Sequence, residues 1–143
     1  MKYITENYAL NLPCRLNTDG DWHRSALDWE HFPLFESDNS FFKDYGIEKD
    51  IDIYKYVPLK KFQGKKYNVA NHIRALLDLL YQQNFGLARG MKEDFIDNDK
   101  YTLEIFNKVS EMKKLSFWPH IDEFMGREYK MSWINYKNDE IGV

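Results

Sequence analysis

Residues 68–81, NVANHIRALLDLLY, decide the fold, because here the chain changes period. Ile73, Leu76, Leu77 and Leu80 stand at i, i+3, i+4 and i+7, which is one face of a helix. Asn68 suits the N-cap, and Asn84 or Gly86 suits the far end. Upstream of this stretch the apolar runs are short and strand-like; downstream they keep the helical spacing.

Working back toward the N-terminus, YALNLP (8–13) reads as a short apolar strand stopped by Pro13. NTDGD (17–21) is a turn by composition. Residues 33–35 form a second short apolar stretch, and Asp44, Tyr45 and Gly46 mark another turn. Residues 51–57, IDIYKYV, alternate as a half-buried strand does. Gln63 and Gly64 then read as a hairpin turn leading into 65–69.

Working forward, a second helical stretch is expected over 87–96. Asp97 to Asp99 offer caps for a third helix, in which Ile105, Val109 and Met112 repeat. Ser116 and Pro119 open a fourth, with Ile121, Phe124, Met125, Tyr129 and Trp133 on its buried face. The expected fold is α+β: short N-terminal strands in a small antiparallel sheet, with a C-terminal bundle of about four helices packed on it. The 143 residues show no linker, repeat or low-complexity tract, so a single globular domain over 1–143 is expected.

Composition narrows the function. Hydrophobic residues make up 43% and aromatic residues 17%, enough for a real core that the rings fill, with a partner surface as their alternative use. The net charge of −3 lacks the basic excess of a nucleic-acid binder. The sequence from Pro58 to Leu77 carries Lys60, Lys61, Lys65, Lys66 and Arg74 and no carboxylate, so a small basic patch is expected there. Cys14 is the only cysteine, which excludes an intrachain disulfide and suits a reducing compartment. No apolar run is long enough for a membrane span, and the N-terminus shows no signal-peptide pattern, so a cytoplasmic location is expected.

Phosphate-binding, zinc-protease and nucleophile-elbow motifs are all missing, and no enzyme activity is expected. Cys14, His23 and His31 lie within eighteen positions, with His72 at the start of the strongest helix. Thiolate and imidazole are good zinc ligands, and a structural zinc takes about four. The spacing C-x8-H-x7-H matches no standard zinc finger. A dyad of Cys14 with His23 is the alternative use of the same residues. Trp22, His23 and Trp29, with Phe32 and Phe35, suggest a mini-core around a metal, an exposed contact surface, or both, and Phe41, Phe42 and Tyr45 suggest partner anchors.

Three stretches carry a resemblance: YALNLPCRLNTDGDWHRSALDW (8–29), ESDNSFFKDYGIE (36–48) and YNVANHIRALLDLL (67–80). Together they resemble a family of small proteins carried by phages, mobile elements and bacterial genomes. The wider group of such proteins includes anti-CRISPR inhibitors of the RNA-guided (type II) CRISPR nuclease, some of them zinc-containing. The resemblance implies a stoichiometric inhibitor of a host CRISPR nuclease that binds protein and not nucleic acid. It also implies a structural zinc held by Cys14, His23 and His72, with Asp21, Asp28 or His31 completing the set. The competing readings are an antitoxin or accessory partner of a toxin–antitoxin pair, and a metal-dependent enzyme built on the Cys14–His23 segment.

Overall fold

The computed structural model describes residues 1–18 and 22–141, without the side chains of 140 and 141. Four short strands come first, in two antiparallel two-stranded sheets: β1 (Lys2–Tyr3) pairs with β2 (Phe35–Glu36), and β3 (Ile47–Ile51) with β4 (Tyr67–Ala70). The helices are α1 (Glu6–Ala9), α2 (His72–Tyr81), α3 (Phe85–Ala88), α4 (Thr102–Ser110), α5 (Trp118–Tyr129) and α6 (Met131–Ile141). The fold is thus α+β, with the strands in the N-terminal part and most of the helix in the C-terminal part. Contacts divide the chain into two compact units, Met1–Asp78 and Leu79–Val143, and the division falls inside α2. No helix among the described residues is long and apolar enough to cross a membrane.

In the first unit, Ile4 joins the two sheets by a parallel bridge to Val69. Its N–H donates to the Asn68 carbonyl, and its own carbonyl accepts from Ala70. The strand expected over 8–13 is not formed. The chain instead turns helically, with Leu10 N–H bonding Glu6 O and Leu12 N–H bonding Ala9 O. Ala9, Leu10 and Leu12 are buried, a helical spacing that six residues of mixed character could not distinguish from alternation. Asn11 fixes the turn through its amide, which donates to the carbonyls of Asn7 and Trp22 and accepts from Trp22 N–H.

The strand expected over 51–57 lies earlier, at Ile47–Ile51, and ends where Asp52 caps a 3₁₀ turn at Ile53–Lys55 by accepting from Tyr54 N–H. Side-chain capping by Asp offers the backbone an alternative to the ladder, so the alternation in IDIYKYV misleads. The Gln63–Gly64 turn is present, with Gly64 at φ +75, inside the connection from β3 to β4. Helix α2 starts at His72, and its cap is Asn71, whose Oδ1 accepts from Arg74 N–H. Asn68 belongs to β4, where its side chain bridges Lys2 O and Asp50 N–H.

In the second unit, the stretch expected as one helix over 87–96 is α3 followed by a π-helical turn at Met91–Phe95. Ile105, Val109 and Met112 are buried as expected, Met112 from the 3₁₀ turn that continues α4. The expected fourth helix is two helices: Lys130 at φ +56 and ψ −128 breaks the chain between α5 and α6. Ile121, Phe124, Met125 and Tyr129 are buried from α5, and Trp133 from α6.

Candidate functional site

Helix α2 places the first functional side chain. His72 is its first residue and is fully buried. Its Nε2 donates to the Leu12 carbonyl at 2.7 Å, so in the neutral ring Nδ1 is the acceptor. The turn after Pro13 brings Thr18 Oγ1 to 2.5 Å from Nδ1 and Cys14 Sγ to 3.7 Å from the same Oγ1. Cys14 is half-buried. It borders an open cleft of about 250 Å³ lined by Pro13, Arg15, Glu48, Ile51 and Tyr56. The Arg15 N–H donates to Glu48 Oε2 at 2.8 Å, tying this loop to β3.

The two titrating groups act on each other. Burial works to raise the Cys14 thiol, but hydrogen bonding and charge from His72, with backbone N–H groups of His72 and Leu16, bring it below its ordinary value. Burial works to lower His72, but hydrogen bonding and charge from Cys14, the Leu12 contact and Glu48 raise it. The shared direction is toward a thiolate–imidazolium pair.

The sequence-derived site residues are only partly brought together. Cys14 and His72 meet, across 58 positions. His23 is exposed, in a left-handed conformation at φ +50, before a 3₁₀ turn at Arg24–Ala26. His31 is exposed and pairs with Asp28 at 3.1 Å. Asp21 lies outside the described residues. Among the described residues no three His, Cys, Asp or Glu side chains group so as to hold a metal. Among the described residues Cys14 and His72 supply two donors where a structural zinc takes about four, so these two alone do not complete a zinc site. Thr18, which stands between the thiol and the imidazole, carries no signal in the sequence beyond lying four residues after Cys14.

The aromatic segment is buried at Trp22 and half-buried at Trp29, Phe32 and Phe35. Trp22 is fully buried. Trp29 and Phe32 pack edge-on or tilted around Phe62, Tyr67 and Tyr8, at centroid separations of 4.9 to 6.0 Å. The Lys61 ammonium caps the rings of Phe32 and Phe62. Phe42 is buried as well. Trp29 and Phe32 thus stand in a ring cluster, while Phe42, expected as a partner anchor, is buried instead.

Beneath the site α2 carries a buried polar network. The Arg74 guanidinium is 0% exposed and donates to Asp78, Tyr3, Ser40 and the carbonyls of Lys43 and Tyr45. Arg74 is therefore no part of a basic surface patch. Gly46 is required beside it: at φ +72, a Cβ there would lie 2.7 Å from Arg74 Cβ. Asp78 also accepts from the hydroxyls of Tyr3 and Thr5, each at 2.7 Å.

Next to Thr5, Glu6 stands at φ +58, a left-handed conformation that costs a non-glycine residue free energy. Burial, then the charge of Asp78, pushes its carboxyl up to about 7. Below the ordinary value of 4.5 it is protonated in the folded and unfolded chains alike. Between 4.5 and about 7 only the folded chain holds the proton, so this contribution to stability is lost as the pH rises through about 7. Glu6→Gln is expected to gain stability over the wild type at about pH 8 and to match it near pH 4. Urea unfolding midpoints of both proteins across this range check the expectation; parallel pH profiles would contradict it.

No family model matches the sequence, and no curated protein or solved structure matches the chain.

Proposed function

We propose that this chain acts by stoichiometric binding to a protein partner, and that the partner is a host CRISPR nuclease of the RNA-guided type. The observation that carries the binding reading is a set of large apolar side chains held in water. Met131 and Ile134 stand one turn apart on α6 at 59% and 40% exposure, and Leu103 on α4 is 62% exposed. The two helices are braced against each other by Phe106 on Trp133 and Tyr136. Apolar groups left in water gain free energy when a partner covers them, and the flexible Met131 side chain adapts well to such contacts. The identity of the partner rests on the resemblance of residues 8–29, 36–48 and 67–80 to small mobile-element proteins. The acidic excess of the first 57 residues supports it, since a nuclease must present basic channels to phosphate backbones.

The test is a titration of the purified chain against a fixed amount of guide-loaded nuclease. Cleavage is expected to stop near one equivalent, with the nuclease covalently unchanged. Met131→Asp with Ile134→Asp is expected to weaken the inhibition at least about tenfold while circular dichroism stays unchanged. Inhibition that persists at a small fraction of one equivalent would overturn the stoichiometric reading. Full nuclease activity at excess inhibitor would overturn the choice of partner.

A further inference from the structure

We propose that Cys14 is a base-assisted nucleophilic thiol, and that hydrogen peroxide entering its cleft oxidises it to a sulfenic acid. Three features of the first unit carry this, and none of them is the cysteine alone. The first is an oriented base. His72 is fully buried, and its Nε2–H is held by the Leu12 carbonyl, which leaves Nδ1 as the acceptor in the neutral ring. A nucleophile served by a base that a third group orients is the recurring arrangement of reactive thiols.

The second is a proton path. Thr18 Oγ1 lies 2.5 Å from Nδ1 and 3.7 Å from Cys14 Sγ. The thiol can pass its proton to the hydroxyl oxygen as the hydroxyl passes its own to the imidazole. The third is access. Cys14 is half-buried and lines the open cleft of about 250 Å³ together with the exposed Arg15 and Tyr56. That is below the size of most organic-ligand pockets but ample for a small oxidant.

The step balances. The sulfur attacks one peroxide oxygen, forming the S–O bond as the O–O bond breaks. The departing hydroxide takes up the proton lodged on His72 and leaves as water. Sulfur loses two electrons and the peroxide gains them, so that thiol and hydrogen peroxide give sulfenic acid and water. The chain has no second cysteine to resolve the product. A small thiol such as glutathione therefore condenses with it, releasing water and leaving a mixed disulfide that a further thiol reduces.

The full-length chain is treated with hydrogen peroxide at neutral pH in the presence of dimedone, and the adduct is followed by intact mass. The expected result is a single dimedone adduct at Cys14, absent from Cys14→Ser. It should form at least about fivefold faster in the folded chain than in the same chain unfolded in urea. His72→Gln and Thr18→Val are expected to bring the folded rate down toward the unfolded one. Thr18→Val keeps the test decisive if His72→Gln does not fold. A folded wild-type chain that reacts no faster than the unfolded one overturns the proposal. So does a folded Thr18→Val that reacts as fast as the wild type.

Discussion

Replacing Arg74 by leucine is expected to destabilise the protein by about 3–5 kcal/mol, a large part of the stability of an ordinary small domain. The guanidinium is buried, and its donors are used on Asp78, Tyr3, Ser40 and two backbone carbonyls. It also lies 5.0 Å from the Tyr3 ring centroid, adding a cation–π contact. Removing it leaves the Asp78 carboxylate buried without its counter-charge and the carbonyls of Lys43 and Tyr45 without this donor. An uncompensated buried charge is what makes single deletions of such pairs costly. The Arg74→Leu, Asp78→Leu double variant is expected to recover part of the loss, because no charge is then stranded. Urea unfolding of the wild type, both single variants and the double variant forms the thermodynamic cycle. A loss below about 1 kcal/mol for Arg74→Leu would show that the network is not a stabilising element.

Trp133→Ala is expected to cost about 3–5 kcal/mol in the second unit. The indole is fully buried and packs on Phe106, Trp118 and Tyr136. Its Nε1 donates to Asp122 Oδ1 at 2.8 Å, beside the Lys137 ammonium on the same oxygen. Those two bonds, opposed by partial burial, hold the Asp122 carboxyl below the usual range. Alanine therefore removes ring contacts, opens a cavity and deletes a charge-assisted hydrogen bond. Trp133→Phe separates the effects, since it keeps most of the packing and loses the N–H; it is expected to cost about 1.5–3 kcal/mol. Equal losses for alanine and phenylalanine would assign the whole effect to the hydrogen bond. A loss below about 1 kcal/mol for alanine would contradict the packing account.

The α+β class and the helical second half were legible because they rest on period alone. Ile73, Leu76, Leu77 and Leu80 announce α2, and Ile105 with Val109 announces α4, whatever packs on them. Short segments were not legible. Residues 8–13 are too few to distinguish strand from turn, and Asp52 ends β3 by a local hydrogen bond that alternation does not register. The break at Lys130 was hidden because lysine is a good helix former, and only its non-helical backbone at positive φ separates α5 from α6.

What the sequence determined by itself is the set of chemical possibilities: one thiol, four imidazoles, no disulfide, and a strong helix with His72 near its start, whose cap it placed at Asn68 where the structure uses Asn71. Its neighbourhood in sequence pointed to His23 and His31 as partners for Cys14. The resemblance added His72 to that set, and of these candidates the tertiary structure brings His72 to Cys14, with Thr18 Oγ1 in reach of both and the Leu12 carbonyl fixing the ring. It also took Arg74 out of the lysine-rich stretch and buried it with Asp78. The physical reason is the same in both cases. A helical period fixes which residues share a face, but which distant groups meet is set by loop paths and by the demand that every buried polar group find a partner.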